Sequence, residues 1–160
     1  SAASDVYKRQ AYDRKLVIAL NPSPYNEKIE VCDLSKISIF LLNEIEGAQI
    51  TGLTEPDDIL ASMRKRFPEA KIVLTLGKDG ARYSDKDCEY EQPIFPVKAV
   101  DTTAAGDTFT GYFLAGLIRG MEIPDILRMS AKASSIAVTR NGAVQSIPKR
   151  EEVEAALSAD

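Results

Sequence analysis

The segment 101–107 combines residue types that could bind a phosphate group and accept a proton. A strand-like approach ends in small residues and a glycine, and Asp107 then begins a stretch with helical periodicity. The first amides of a helix lack partners within it, and the helix dipole favours negative charge there, so such a turn can hold phosphate. A carboxylate in the same place is locally unfavourable. We infer that Asp107 removes a proton from a hydroxyl that attacks a phosphoryl group.

Asp107 also has a purely structural interpretation. An acid in the first turn of a helix complements the dipole and stabilises it by a few tenths to about 1 kcal/mol. However, the Ala-Ala-Gly run before Asp107 would let a ligand approach the backbone, and Asp101 adds a second carboxylate at the end of the strand. These two features favour the functional interpretation.

Three further segments contain candidate functional residues, two of them after a predicted strand and one after a predicted helix. Segment 75–80 could curl its amides around an anion, although a plain hairpin turn is the simpler explanation and the Walker spacing is absent. Asn43 and Glu46 have the spacing of a helix capping box, but Glu46 could equally help to position hydrated Mg²⁺ near phosphates. Segment 140–146 is by itself a glycine helix stop followed by a loop.

Short apolar runs alternate with helical patterns along the chain, which predicts an α/β fold with a largely parallel sheet. All four segments then lie at the ends of strands or the starts of helices, where such sheets bind ligands. The predicted buried strands are 16–20, 37–42 and 71–76, and the predicted antiparallel or edge strands are 82–85, 89–92 and 94–100. Four helices are predicted. The first starts in a capping box at Thr54, the second ends at Gly120, the third starts at Pro124 and the fourth spans 151–157.

Composition narrows the classes of function. The 160 residues suffice for one domain, predicted at 15–160, whereas residues 1–14 are predicted to be a polar tail foreign to the protein. The absence of histidine excludes Ser-His-Asp hydrolysis and most zinc catalysis. Cys32 and Cys88 stand alone and are predicted to be reduced thiols. A net charge of −4 and the lack of long basic or apolar runs predict a cytoplasmic protein without nucleic-acid or membrane partners.

Taken together, the four segments resemble the ribokinase-like (PfkB) family of carbohydrate kinases. The stretch Asp-Thr-Thr-Ala-Ala-Gly-Asp-Thr-Phe-Thr-Gly at 101–111 is similar to the family's C-terminal signature, and the likeness covers about residues 16–157. Five motifs occur in the same order as in the family: Asn-Pro after a strand, NxxE, TLGxxG, the signature, and a final AVTRxGA with SIP. The resemblance implies a ribokinase-like, Rossmann-like layered α/β/α fold, here truncated at the N-terminus.

The resemblance also implies a role for each matching residue. Asp107 would be the catalytic base, and Glu46 would act on Mg²⁺ indirectly. The implied anion hole consists of Ala104, Ala105 and Gly106. The positions that match ATP-binding residues are Asn43, Thr75, Gly77, Lys78, Asp79, Gly80, Gly106 and Ala131. The positions that match the site of an activating monovalent cation, K⁺, are Asp101, Thr103, Ala137, Arg140, Gly142 and Ser146.

The family's N-terminal sugar-binding motif and lid have no match in this sequence. The resemblance therefore implies ATP-dependent phosphorylation of a sugar or nucleoside hydroxyl by a protein of which this chain is a fragment, inactive by itself. The alternative is a nucleotide-binding module without catalysis. A dinucleotide-binding oxidoreductase is a weaker alternative, because no GxGxxG follows a strand.

A fold without its neighbouring strands should expose unpaired backbone groups at the edge of its sheet. We therefore expect the chain to self-associate, as a homodimer or a larger species. Light scattering of the 160-residue chain over a concentration series checks this expectation. A monodisperse monomer that withstands heating would contradict it.

Overall fold

The computed structural model describes residues 2–23, 25, 29 and 33–159, and Cys32 therefore lies outside the described residues. Contacts within the chain divide it into two units, each of which is described by itself. The first unit comprises Ser1–Leu76 and Arg82–Tyr90, and the second comprises Gly77–Ala81 and Glu91–Asp160.

Parallel strands form the centre of the first unit. Among the described residues, one sheet has the order β1-β2-β3-β4-β5, and β2 pairs in parallel with both β1 and β3. The predicted α/β class is thereby confirmed, although β1 is shorter than predicted. The strands are β1 (Ala19–Leu20), β2 (Ile39–Asn43), β3 (Lys71–Thr75), β4 (Ala81–Ser84) and β5 (Glu89–Gln92). The helices that precede β3 are α1 (Ala2–Asp13), α2 (Glu44–Thr51) and α3 (Pro56–Arg66).

The apolar runs of β2 and β3 supply the core of this unit. Phe40, Ile72 and Leu74 are fully buried, and Ile59 and Met63 of α3 belong to the same apolar cluster. Each fully buried side chain of this size contributes about 1.5–3 kcal/mol. This packing holds the carboxyl ends of β2 and β3 side by side.

The second unit is helical. Its helices are α4 (Ala105–Ile118), α5 (Ile123–Ala137) and α6 (Arg150–Ser158). Helices α4 and α5 approach closely at Gly116. A Cβ atom added there would lie only 2.8 Å from Cγ1 of Ile126. The small inner face of α5 is buried, as expected for close helix packing, and its buried members include Ser130, Ala133 and Ala137. No helix in the described part of the chain is long and apolar enough to cross a membrane.

Residues 1–14 were predicted to be a polar tail, and within them Ala2–Asp13 forms α1. Alanine, lysine, arginine and glutamine are good helix formers, so local propensity suffices for a helix without a strong apolar stripe. The foreign origin of this stretch stays a prediction.

Two predictions were wrong at prolines. No strand forms over 94–100, since Pro93 and Pro96 lack the amide hydrogen that a sheet ladder requires. Helix α3 begins at Pro56 with Glu55 as its N-cap residue and without a side-chain capping bond, so the capping box predicted at Thr54 is absent. Proline favours the first helical position and here determines where the helix starts.

One carboxylate organises the turn between β4 and β5. The Tyr83 hydroxyl donates to Oδ2 of Asp85 at 2.6 Å, and the amides of Asp87 and Cys88 donate to Oδ1 at 2.8 and 2.9 Å. Lys71 Nζ lies 3.6 Å from Oδ2. Partial burial opposes ionisation, but the hydrogen bonds outweigh it and hold the pKa of Asp85 below its ordinary value of 3.8.

Asp85→Asn should therefore destabilise the chain mainly above the pKa of the unfolded carboxyl group. A folded pKa below the unfolded one stabilises the fold fully above roughly pH 5, and this contribution disappears as the pH falls through the folded pKa. We expect a loss of about 1–2 kcal/mol in the free energy of unfolding at pH 7. The difference from wild type should shrink as the pH falls below about 4.

Urea denaturation at a series of pH values measures this effect. Asp87→Asn is the matched control, because Asp87 is an exposed carboxylate of the same turn. Equal losses in the two variants would show that the network around Asp85 is not the cause.

Candidate active site

Helix α4 begins without a side-chain cap. Its N-cap residue is Ala104, and the amide of Ala105 donates to the carbonyl oxygen of Thr102 at 3.1 Å. Within the described residues, no acceptor is found for the amides of Gly106 and Asp107. The helix therefore presents two amides at its positive end to an external anion. Ala105 was predicted to be part of the anion hole, but its amide already donates to Thr102 within the turn.

Asp107 is exposed in the first turn of α4. It lines a cavity of about 230 Å³ that runs along one side of α4. Arg119 and Arg150 line the same cavity. The next residue, Thr108, is 1% exposed, and its hydroxyl has no hydrogen-bond partner among the described residues. An exposed carboxylate that lines a cavity can take a proton from a bound hydroxyl group.

Asp101 closes the turn that precedes α4. Its Oδ1 accepts hydrogen bonds from the amide and the hydroxyl of Thr103 at 2.9 and 2.6 Å, and its Oδ2 accepts one from the amide of Gly142 at 3.2 Å. The Thr103 hydroxyl, followed by the amides of Thr103 and Gly142, lowers the pKa of Asp101. The structure thus brings together three of the residues predicted to surround a monovalent cation.

The other three predicted cation residues have local partners of their own. The carbonyl oxygen of Ala137 accepts from the amide of Arg140 at 3.1 Å, and the Arg140 guanidinium pairs with Glu152. Ser146 is 1% exposed and its hydroxyl donates to the carbonyl oxygen of Ala143 at 2.6 Å. Among the described residues, no hydrogen bond or ion pair joins these three to Asp101.

The charge of Asp101 is compatible with a cation site. Within the described residues it is surrounded by neutral hydrogen-bond donors and forms no ion pair with a lysine or an arginine. A carboxylate together with backbone oxygens is also the type of donor set that hard cations prefer.

The loop 77–80 is a tight turn in the second unit. Gly77–Asp79 form one 3₁₀ turn, and Gly77 and Gly80 have φ angles of 54° and 89°. A Cβ atom at Gly80 would lie 2.2 Å from the carbonyl oxygen of Gln92, so Gly80 is required by the backbone itself. Lys78 and Asp79 are exposed to solvent. Ala131, predicted to lie beside adenine, is a half-buried residue of α5.

In the first unit, Asn43 and Glu46 form the predicted capping box at the start of α2. The Glu46 amide donates to Asn43 Oδ1 at 2.8 Å, and the Asn43 amide donates to Glu46 Oε2 at 3.0 Å. Asn43 and Thr75 are register partners on β2 and β3, and the Thr75 hydroxyl donates to the carbonyl oxygen of Leu42 at 3.3 Å. The structure therefore brings Asn43, Glu46 and Thr75 to one end of two parallel strands.

Glu46 suits an indirect contact with Mg²⁺ better than direct ligation. It is 5% exposed, and one carboxylate oxygen accepts the Asn43 amide. In the part of the chain that the structure describes, no group of three or more acidic, histidine or cysteine side chains could hold a metal. Mg²⁺ usually keeps several waters and uses only one or two carboxylates together with substrate phosphates, so this donor set is sufficient for such an ion.

A model of the pfkB family of carbohydrate kinases matches residues 2–150. The chain belongs to this family. Ribokinase of Bacillus subtilis is 36% identical to this pfkB family member over 151 residues, which cover 94% of the chain and 49% of the relative. The resemblance predicted from the four segments is confirmed.

Solved structures confirm the ribokinase-like fold of this family member. Ribokinase of Thermotoga maritima is similar with a TM-score of 0.76 and 29% identity, over 93% of this chain and 52% of the other. Arabidopsis thaliana ribokinase, solved in complex with ribose and ATP, has a TM-score of 0.72 and 33% identity over 78% and 42% of the two chains. The chain thus spans about half the length of the relatives that it matches.

Sequence reasoning missed two residues that hold the turn before α4. The carbonyl oxygen of Val138 accepts from the amides of Val100 and Asp101, and the hydroxyl of Ser134 donates to the carbonyl oxygen of Ala105. A backbone carbonyl has no residue-type signal, and a serine in a small-residue run resembles packing. The AVTR motif at 137–140, which contains Val138, was the signal that could have directed attention to this residue.

Two substitutions separate the structural role of the capping box from its predicted role at Mg²⁺. Asn43→Ala removes a cap and should cost about 1 kcal/mol in the free energy of unfolding. Glu46→Gln keeps an oxygen that can accept the Asn43 amide and should leave stability nearly unchanged. If Glu46 acts on the ion through water, this variant should bind ATP with Mg²⁺ about 10- to 100-fold more weakly.

Thermal unfolding and titration calorimetry with ATP, with and without Mg²⁺, measure the two effects. ATP binding without Mg²⁺ is the internal control for Glu46→Gln. A variant that retains wild-type affinity for ATP with Mg²⁺ would limit Glu46 to its structural role.

Proposed function

We propose that this chain carries the ATP-binding and proton-accepting part of a kinase that phosphorylates a hydroxyl group of a sugar or nucleoside. The observation that supports this most is the uncapped start of α4, where the Gly106 and Asp107 amides and the exposed Asp107 carboxylate occupy one helical turn. This turn lies in the stretch that is similar to the family's C-terminal signature. A ribokinase that binds ribose and ATP, 33% identical to this chain, supports the substrate class.

Asp107 acts as a general base in this proposal. The acceptor hydroxyl oxygen attacks the γ-phosphorus of ATP, the bond between that phosphorus and the β,γ-bridging oxygen breaks, and ADP leaves. The hydroxyl proton passes to the Asp107 carboxylate, from which it exchanges with solvent. Phosphoryl transfer depends mainly on positioning and on stabilisation of charge, so a single well-placed base and a set of amide donors suffice.

The amides at the start of α4 stabilise the transferring phosphoryl group. Gly106 and Asp107 provide N–H donors at the positive end of the helix dipole, where charge on the equatorial oxygens is favoured. The carbonyl of Ala105 and the side chain of Asp101 keep this turn in shape. In this proposal the amide donors are those of Gly106, which belongs to the predicted set, and Asp107, which lies one residue beyond it.

The remaining predicted residues bind ATP and its ion. Asn43, Glu46 and Thr75 lie at one end of β2 and β3, the usual place for a ligand of a parallel sheet. When bound, Mg²⁺ would neutralise charge on the phosphates, with Glu46 contacting it through water. Asp101, Thr103 and Gly142 would border the monovalent cation. In this proposal the nucleotide is lined by Gly77, Lys78, Asp79, Gly80 and Ala131.

The acceptor site is expected to be largely absent from this chain. The chain covers 49% of the B. subtilis ribokinase, and no segment of it resembles the family's sugar-binding motif. We expect the 160-residue chain to bind ATP with Mg²⁺ and to transfer phosphate poorly. A cytoplasmic location, self-association and the absence of nucleic-acid or membrane partners stay predictions from the sequence.

Asp107→Asn tests the role of the base. In the longest protein that contains this chain, turnover with ATP and ribose should fall by about 10²- to 10⁴-fold, since the amide cannot accept the proton. Calorimetry should show unchanged ATP affinity. Production of ADP and of the phosphorylated sugar is measured together, so that transfer is distinguished from hydrolysis of ATP.

Three outcomes decide the proposal. Loss of transfer with binding retained supports Asp107 as the base, whereas near-normal turnover in Asp107→Asn contradicts it. If the wild-type protein binds ATP and transfers phosphate to none of a panel of sugars and nucleosides, it is a nucleotide-binding module without catalysis.

A further inference from the structure

Helix α5 is hydrogen-bonded to the first peptide group of α4 through a single side chain. The hydroxyl of Ser134 donates to the carbonyl oxygen of Ala105 at 3.1 Å. Ala105 is the first residue of α4 and lies two positions before Asp107. The contact therefore acts on the turn that the proposed function assigns to phosphoryl transfer.

The behaviour of Ser134 differs from that of the other serines of α5. Ser130 and Ser135 each donate within their own helix, to the carbonyl oxygens of Ile126 and Lys132, both at 2.7 Å. Bonding back to the preceding turn is the usual arrangement for a helical serine. Ser134 instead donates its hydroxyl to another helix. A bond within its own helix would have satisfied the hydroxyl equally well, so we look for a further role of this contact.

The entry to the same turn is attached to the same part of α5. The carbonyl oxygen of Val138 accepts from the amides of Val100 and Asp101 at 2.7 and 3.1 Å. Ser134 and Val138 are four residues apart, and the Val138 amide donates to the carbonyl oxygen of Ser134 at 3.1 Å. Both ends of segment 100–105 are thus tied to one turn of one helix, over an axial rise of about 6 Å.

The bond from Ser134 also fixes the direction of an amide. The carbonyl of Ala105 and the N–H of Gly106 belong to one planar peptide group and point in opposite directions. The helical ladder of α4 already uses this oxygen as the acceptor for the Phe109 amide. The Ser134 hydroxyl is a second donor to it, from another helix, and restricts rotation of the peptide group further. The Gly106 amide, for which no acceptor is found within the described residues, keeps a constant direction.

We propose that Ser134 is a positioning residue for phosphoryl transfer, which locks the peptide group between Ala105 and Gly106 so that the Gly106 amide stays directed at the transferring phosphoryl group. This inference depends on the proposed function of the α4 turn. Ser134 does not touch the reacting atoms and acts only through this peptide group.

Ser134→Ala tests the lock, with Ser135→Ala as the matched control from the same helix. In the 160-residue chain, the ¹⁵N and ¹H shifts of the Gly106 amide should change in Ser134→Ala and stay close to wild type in Ser135→Ala. Ser134→Thr retains a hydroxyl and should restore most of the wild-type shift. If the Gly106 resonance moves no more in Ser134→Ala than in Ser135→Ala, the lock does not exist.

Kinetics of the longest protein that contains this chain test the consequence for transfer. Loss of one net hydrogen bond should lower kcat about 2- to 12-fold in Ser134→Ala, with KM for ATP unchanged and with recovery in Ser134→Thr. An altered Gly106 amide with an unchanged kcat would overturn the positioning role, as would equal effects in Ser134→Ala and Ser135→Ala. Absence of phosphoryl transfer in the wild-type protein would refute the proposed function instead, and the amide comparison would still decide whether the lock exists.

Discussion

The planarity of one peptide bond connects helix packing to the candidate chemistry in this protein. Because the carbonyl of Ala105 and the amide of Gly106 cannot rotate independently, any contact that restrains the oxygen also aims the nitrogen. The restraint comes from α5, whose close approach to α4 depends on Gly116 opposite Ile126. Packing near the C-terminal end of α4 and the N-terminal end of α5 thus helps to orient a single N–H group at the opposite end of α4.

The two units support their candidate residues by different physical means. In the first unit, Asn43 and Glu46 satisfy each other across one helical turn, and burial of β2 and β3 determines where that turn lies. In the second unit, no side chain caps α4, and the turn before it depends on hydrogen bonds from residues distant in sequence. The cap of α2 uses backbone amides that could otherwise bind an anion, whereas the uncapped start of α4 keeps such donors available.

Sequence reasoning succeeded where a local pattern determines the structure. The apolar runs of β2 and β3 and the spacing of Asn43 and Glu46 act within a few residues, and both elements were predicted correctly. It failed for the extended segment after Pro93, where the missing amide donors of two prolines outweigh the apolar pattern. The contacts of Ser134 and Val138 could not be predicted, because they depend on how α5 is placed against a turn some thirty residues earlier.

Gly80 illustrates how intolerance to substitution can mislead about function. It lies within the segment proposed to line the nucleotide, yet its left-handed backbone and the carbonyl of Gln92 already disfavour every other residue. A mutational scan of this protein would rank Gly80 among its most sensitive positions even in an assay that involves no nucleotide. Sensitivity at the neighbouring exposed Lys78 and Asp79 would be far more informative, because the fold places no comparable demand on their side chains.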